Sequence, residues 1–334
     1  MKKVFVVILH YKGKQLTRQC LLSLQKTKIG DFSFEVIVVD NHSPEPIGEF
    51  RKEFEKVIFL KNSQNLGFAE GNNVGIRKAL QDGADYVFVV NNDTILDKNI
   101  LIQLISAIGG SAAGGKVASL NDKQSLLLRN KTAILGPKIY FAPGYEYHKT
   151  RYKPTERGKV FWYAGGLIDW HNILTSHRGV DEVDKGQYNK QIETDYVSGC
   201  AMFVKREVFE KIGLFNKRYF LYLEDVEFCQ RAKKAGFKVV YTPKAKLWHA
   251  NAGSSAVGGS LQDYYLTRNR MLFGIRYAPW RTKLALFKES IGLLFTGRRW
   301  QKAGIRDFYF AVAGEATRNK LAYLRKFGRG SYEA

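Results

Sequence analysis

The sequence predicts an α/β protein: a mainly parallel sheet flanked by helices, with a C-terminal helical extension. Three observations point there. Short apolar, β-branched runs alternate with helical stretches through the first hundred residues, the pattern of parallel strands covered on both faces. Two of those runs stop abruptly in polar residues, at Asp40 and at Asn91-Asn92-Asp93, and in such sheets binding groups gather at the carboxyl ends of the strands. After about residue 276 the character changes: Arg276 to Ala334 carry 13 Lys/Arg against 4 Asp/Glu, within stretches of helical pattern.

The elements follow in order. Residues 4–9 (VFVVIL) read as a strand, and 15–27 as a helix with Leu16, Cys20 and Leu24 at helical spacing. A second strand spans 34–40, a short charged helix 48–56 and a third strand 57–60. Residues 69–82 form a helix ended by Gly83, 86–90 a fourth strand, and 97–108 a helix beginning at Asp97. Residues 109–131 and 142–159 read as surface loops around a strand at 133–141. Strands are expected at 160–170 and 195–205, and a helix at 206–212. Residues 222–236 give a strong helix signal, with acids in the first turn, Lys233 and Lys234 in the last, and Gly236 beyond. Residues 238–243 and 246–249 read as two strands, 283–295 as an amphipathic helix, and 300–327 as helical.

Composition narrows the class. A chain of 334 residues can bury a sizeable core as one large or two ordinary domains. Cys20, Cys200 and Cys229 lie too far apart in sequence for a disulfide framework or a cysteine zinc site, which points to a reducing compartment. The N-terminal apolar run is too short for a signal peptide and reads as a buried strand. No segment reaches the roughly 18 apolar residues of a spanning helix. A net charge of +22 suits an anionic partner: nucleic acid, a membrane surface or an anionic substrate. No nucleic-acid-binding module is recognisable, so no specific nucleic acid is expected.

Five stretches carry candidate chemistry, each with a plainer alternative. VVNNDTIL is either a strand end with turn residues or a carboxylate held out for a hard divalent cation and a diphosphate. VVDNHSPE offers Asp40 as a turn residue or as an acceptor for a nucleobase or ribose. NSQNLGFAEGNNVGIRKA lacks the dinucleotide and P-loop fingerprints; it is an ordinary loop, or it brings backbone N–H groups to an anion. In FLYLEDVEFCQRAKKAG, Glu224, Asp225 and Glu227 complement the helix dipole, with a Glu227–Arg231 pair, or one of them is a general base. His249 in KLWHANAGSS is structural, or completes a mixed oxygen–imidazole site with Asp93 that tolerates Mn²⁺.

With VVILHYKG, WYAGG and GCAMFVKREVFEKIGLFN added, these motifs occur in an order that resembles the inverting family 2 glycosyltransferases of GT-A fold, and most of all their bacterial rhamnosyltransferase-like branch. The resemblance spans roughly residues 3–275. It implies a GT-A catalytic domain over 1–275, with nucleotide-sugar binding in about 1–108 and the acceptor and catalytic part in about 132–275, then a basic helical extension over 276–334. His10, Tyr11, Asp40, Asn65, Gly67, Phe68, Asn72, Asn91 and Asn92 would bind the donor nucleotide. Asp93 and His249 would hold Mg²⁺ or Mn²⁺, and Asp225 would be the general base, supported by Glu224 and Glu227. Trp162, Gly165, Gly166 and Gly199 would meet the sugar or acceptor. Two positions depart from the family pattern. Asn91 replaces the first Asp of a D-x-D motif, which lowers metal affinity or turns Asn91 toward the sugar, and His10 stands where Asn is usual.

The implied reaction is a metal-assisted single displacement. It moves a sugar from dTDP-rhamnose or a UDP-sugar to a glycan acceptor that is lipid-linked and belongs to a growing cell-surface polysaccharide. The implied location is cytoplasmic, peripheral on the inner face of the cell membrane; a homo-oligomer is compatible with the sequence. For the basic tail, two readings stand: an amphipathic segment lying on an anionic leaflet, or a helical bundle packing on protein. A metal-dependent nucleotidyltransferase is the competing activity, although VVILHYKGKQ lacks the expected triphosphate loop.

Overall fold

The computed structural model describes residues 1–109, 131–148, 150–250 and 259–313. The chain divides into two compact units, Met1–Ile168 with Thr175–Ser254, and Asp169–Leu174 with Ser255–Ala334. In chain order the strands are β1 (Lys2–His10), β2 (Phe32–Asp40), β3 (Val57–Lys61), β4 (Tyr86–Asn91), β5 (Thr94–Leu96), β6 (Thr132–Phe141), β7 (Phe161–Tyr163), β8 (Gly166–Asp169), β9 (Leu174–His177), β10 (Ile192–Glu193), β11 (Ala201–Lys205) and β12 (Lys238–His249). The helices are α1 (Lys14–Gln25), α2 (Phe50–Glu53), α3 (Gly67–Gln81), α4 (Ile100–Ala107), α5 (Arg206–Ile212), α6 (Glu224–Lys234), α7 (Ser260–Tyr277), α8 (Trp280–Thr296) and α9 (Arg299–Ala313).

The first unit is built on one mixed sheet of order β10-β12-β6-β11-β4-β1-β2-β3, with β5 paired to β12 and β7 to β6. The parallel pairing expected of the first hundred residues holds across β3, β2, β1 and β4. Beyond β4 the sheet changes character. β11 runs antiparallel to both of its neighbours, β4 and β6, while β12 is parallel to β6. Strands buried on both faces explain the absence of alternation in the sequence. On one face Val4, Val6 and Ile8 of β1 join Cys20, Leu21 and Leu24 of α1 and Leu101 and Leu104 of α4 in the main core. Each such fully buried side chain stabilises the fold by about 1.5–3 kcal/mol relative to exposure. On the other face α3 lies close because it presents glycines: a Cβ at Gly75 would come within 2.5 Å of Val7, and one at Gly71 within 2.7 Å of Leu9.

Several boundaries differ from the sequence reading, each for a local reason. The helix expected from Asp97 starts at Ile100, because Thr94–Leu96 pairs with β12 and Asp97 turns the chain by accepting the Asn99 N–H at 2.8 Å. The strand expected over 160–170 splits at Ala164-Gly165, where Gly165 takes φ +119. That over 195–205 shortens to β11, since Ser198 to Ala201 forms a turn with a 3.1 Å Ala201 N–H to Ser198 carbonyl bond. The two strands around Pro243 are one, β12, with a register shift between Thr242 and Lys246; a proline without an N–H sits where the ladder is interrupted. Helix α7 went unassigned in the sequence reading. The loop reading for 109–131 falls almost wholly outside the described residues, and of the helical reading for 300–327 only the part to Ala313 lies within them. The three cysteines are free and buried.

Candidate active site

The register of the parallel strands builds the first half of the site. His10 pairs with Asp40 and Leu9 with Asn91, so β1, β2 and β4 end on one rim. Asp40 is 7% exposed and accepts the Ser43 N–H at 2.8 Å. Its neighbour Asn41 is a buried hub. The amide nitrogen donates to Asn65 Oδ1 (2.9 Å) and the Gly67 carbonyl (3.1 Å), while its oxygen accepts from Asn62 Nδ2 and Leu66 N–H (both 3.0 Å). Asn65 in turn receives the Gly67 N–H at 2.8 Å. The Asn-rich lead into α3 is thus cross-linked to the end of β2.

Several residues expected to meet the donor are engaged by the protein itself. His10 is fully buried, with Nε2 2.8 Å from the Glu45 carbonyl and Nδ1 2.8 Å from Thr17 Oγ1. Burial keeps it below its usual pKa and therefore neutral. Both ring nitrogens are occupied, so its side chain fastens two loops rather than presenting a donor contact. Asn92 does the same, donating to the Lys12 carbonyl and Thr17 Oγ1, each at 2.8 Å. Asn72 is buried and bonds the Phe68 carbonyl at 2.9 Å. The backbone N–H groups of Phe68 and Ala69, candidates for an anion, donate instead to the Phe220 carbonyl (2.6 and 3.3 Å). Gly67 leaves room for that carbonyl, since a Cβ there would lie 2.6 Å from it. Tyr11 remains exposed, and Asn91 half-buried.

The second half joins Asp93 to His249. Antiparallel pairing sets His249 opposite Thr94, and the Ala250 N–H binds the Asp93 carbonyl at 2.8 Å. His249 Nε2 then lies 3.0 Å from Asp93 Oδ1, with the imidazole almost wholly buried. Burial lowers the His249 pKa, but Cys200 and Asp93 beside it outweigh burial and hold it well above its usual value. Trp162 stands edge-on to His249 at 4.6 Å and to His177 at 4.3 Å.

Asp225 opens α6. Gly199 N–H donates to its Oδ2 and Val226 N–H to its Oδ1, both at 2.8 Å. Burial raises its pKa, opposed by those N–H groups. Glu224 beside it is buried with Oε2 lacking a partner, and burial, reinforced by the Asp225 charge, holds its carboxyl well above the usual range. Glu224 is raised by burial and by the Asp225 charge, while the two N–H donors on Asp225 favour its ionised form. Three residues before this helix, Phe220, Tyr222 and Leu223, hold left-handed φ of +60, +70 and +67. Such non-glycine conformations cost of order 1–3 kcal/mol each and cluster at functional sites. Glu227 is different: completely buried, it binds Arg231 Nε through both oxygens at 2.9 Å, and Arg231 also reaches the Ile212 and Leu214 carbonyls. Its role is to anchor α6, as the plainer reading of the sequence had it.

Two consecutive residues tie the halves together. Gly199 gives its N–H to Asp225, and the Cys200 carbonyl accepts the Asn91 N–H at 2.9 Å. Gly199 needs its small size, because a Cβ there would meet the Phe68 ring at 3.0 Å and Asp225 Cβ at 3.5 Å. The Asn-Asn-Asp strand end and the acid at the helix start, distant in sequence, are thus tied to two adjacent residues, and the histidine joins them through Asp93.

Such an assembly on a GT-A-like sheet meets its decisive comparison in the sequence profile of Glycosyl transferase family 2, which the chain matches over residues 5–213. The chain belongs to glycosyl transferase family 2. This glycosyltransferase is 23% identical over 336 residues to a dTDP-rhamnosyl transferase of Shigella flexneri, covering 97% of this chain and 92% of that one. It is 26% identical over 222 residues to an N-acetylglucosaminyl-diphospho-decaprenol L-rhamnosyltransferase of Mycobacterium tuberculosis, covering 66% and 67%. A low-salt glycan biosynthesis hexosyltransferase of Haloferax volcanii is 23% identical over 80% of this chain and 74% of its own length. In fold, the glycosyltransferase superposes with a TM-score of 0.61 on GalNAc-T7 crystallised with UDP, GalNAc and Mn²⁺, at 14% identity, over 97% of this chain and 57% of that chain. The GT-A fold and C-terminal helices expected from the sequence are present.

One histidine beside Trp162 escaped the sequence reading. His177 of β9 lies among Trp162, Tyr163 and Tyr196. Its Nδ1 is 3.0 Å from the Trp162 carbonyl, which fixes the proton there and leaves Nε2 as an acceptor, and burial holds its pKa down to about 4. Its strand had no apolar signal, and a lone histidine carries none. Gly165 lines a separate cavity of about 170 Å³ with Arg178, Glu193, Asp195 and Lys233, while Gly166 lies under the Tyr196 ring. That cavity shares no lining residue with the Asp93–His249 pair or with Asp225.

Proposed function

We propose that this glycosyltransferase transfers a sugar, rhamnose being the favoured candidate, from a nucleoside-diphosphate donor to a hydroxyl of a growing, lipid-linked cell-surface glycan, with inversion at the anomeric carbon. The observation that carries the reading is the pair of adjacent residues Gly199 and Cys200, whose N–H and carbonyl respectively bond an Asp held by two N–H donors and the strand end that leads to Asp93. The rhamnosyl and diphospho-decaprenol chemistry named for the relatives supports the choice of donor sugar and acceptor class.

In this mechanism Asp225 accepts the proton of the acceptor hydroxyl as its oxygen bonds to the anomeric carbon. The bond from that carbon to the diphosphate breaks on the opposite face, and the electron pair leaves with the diphosphate. A raised pKa brings Asp225 nearer the value useful to a base. Burial favours the neutral form of Glu224 beside Asp225. Asp40 meets the nucleoside. Asp93 would hold a divalent cation together with His249, whose imidazole ligates only on giving up the proton that Asp93 favours. Their 3.0 Å separation fits two neighbouring positions of an octahedron, which lie about 3.0 Å apart for bonds near 2.1 Å. Among the described residues no group of three such side chains gathers, so Asp93 and His249 are the side chains that would hold the ion. When bound, such an ion neutralises charge on the departing diphosphate.

The loop that a nucleotidyltransferase would use for a triphosphate is otherwise engaged: the Gly13 and Lys14 N–H groups bind the Glu45 carboxylate at 3.0 and 2.9 Å. The test is product analysis with dTDP- and UDP-sugars in Mn²⁺ or Mg²⁺. Release of nucleoside diphosphate with an inverted anomeric centre is expected; pyrophosphate, or retained configuration, would sink the reading. In the same assay Asp93→Ala should lose the metal-dependent part of donor binding, measured by calorimetry with and without chelator.

A further inference from the structure

Within the second unit, α8 has two faces of different kinds. One is packed. Leu286 is 2% exposed and lies against Gly274 of α7; Ser290 Oγ meets Tyr309 Oη of α9 at 2.6 Å; and Glu289 binds Arg270 of α7 through both oxygens at 2.6 and 2.8 Å. The other is bare and apolar. Trp280 and Phe295 are 66% and 76% exposed, and Leu284, Phe287, Ile291 and Leu294 between them 37–54%. At 3.6 residues per turn these six fall within an arc of about 100°, centred roughly opposite the packed face. Lys283 borders the arc on one side, Lys288 and Arg281 on the other.

A stripe this long on a single helix is too extensive to be scattered surface leucines. What would cover it is decided by charge. A second copy laid on the same stripe adds a second set of Lys283, Lys288 and Arg281 around the contact with no acidic residue to match them on the exposed face of α8, and like charges oppose pairing. An anionic lipid surface complements them: the apolar arc sinks to the acyl boundary while the flanking lysine stems extend to the headgroups. No described helix is long and apolar enough to cross a membrane, so α8 would lie in the surface rather than span it.

We propose that the exposed face of α8 is a docking surface for an anionic lipid bilayer. Surface binding by α8 needs neither donor nor acceptor, so its failure would leave the assignment of Asp225 untouched. The experiment is co-sedimentation of the full chain with phosphatidylglycerol-containing vesicles and with pure phosphatidylcholine vesicles. The wild type should bind the anionic vesicles and lose most of that binding at high salt. Leu284→Glu with Phe295→Glu should lower binding at least ~10-fold with an unchanged melting temperature, because neither side chain packs in the bundle. Lys283→Gln with Lys288→Gln should lower binding to anionic vesicles alone. Binding that is equal in wild type and variants overturns the proposal. So does a wild type that ignores vesicles and forms a dimer, by sedimentation velocity, that the glutamate substitutions dissolve.

Discussion

The two halves of the site differ in how completely their polar groups are satisfied. Around Asp40 the groups described above are matched: Asn41 uses both ends of its amide, Asn65 bridges to Gly67, and His10 has both ring nitrogens engaged. Around Asp225 they are not. Glu224 Oε2 and His249 Nδ1 are buried without hydrogen-bond partners, two adjacent carboxyls are raised by burial, and three residues are left-handed. On the proposed mechanism the first half would be a mould for the part of the donor that does not react. The second stores unfavourable terms where charge must move, as expected when a fold gives up stability to hold reactive groups in place.

The largest effect expected from breaking this contrast is Asp225→Asn. It should lower transfer by ~10²–10⁴-fold while donor binding by calorimetry stays within a few-fold; near-normal transfer would remove Asp225 from the role of base. Next is Glu227→Gln, which leaves the half-buried Arg231 without its buried counter-charge. Chemical denaturation should show a loss of about 3–5 kcal/mol, with transfer by the folded fraction nearly unchanged. Asn41→Ala strips partners from Asn62, Asn65 and two backbone groups, and should cost about 1–3 kcal/mol together with donor affinity. The smallest and most discriminating effect is that of Glu224→Gln. Because the folded-state pKa is raised, the native protein holds a proton that the unfolded chain releases. The stability contributed by Glu224 is therefore full below its unfolded pKa and falls as pH rises toward the folded value. Melting temperature should decline with pH above about 4.5 more steeply in the wild type than in Glu224→Gln; parallel profiles would show that Glu224 is not protonated in the fold.

Much of the fold was legible because periodicity reports burial directly. The doubly apolar runs that became β1, β2 and β4, and the acids and lysines that bracket α6, needed no tertiary information. Asp93, Asp225 and His249 stood out because each punctuates an element. What the sequence withheld depends on contacts remote along the chain. Nothing in Phe220 announces that its carbonyl will cap α3, and nothing in Gly199-Cys200 says that two adjacent residues will bind two site residues. His177 becomes distinctive only through the tautomer fixed by a carbonyl 15 residues away. Helix α8 shows the reverse. Its two readings, bundle and surface, looked exclusive in sequence; one face packs as the bundle reading expected, and the proposal of a lipid-facing side concerns the other.

The Gly199-Cys200 linkage also bears on how this chain can vary. Both of its bonds run through backbone atoms, so the thiol of Cys200 is dispensable to them, and serine or alanine there keeps the same peptide path. Chain length is another matter. β11 begins at Ala201 and is held in register on both sides by β4 and β6. One residue inserted between Ser198 and Ala201 would turn the carbonyl away from Asn91 and the N–H away from Asp225 together. Among the described residues the loop at 142–159 has no such tie to Asp225, so changes in length are better tolerated there, and this turn admits substitution but not insertion.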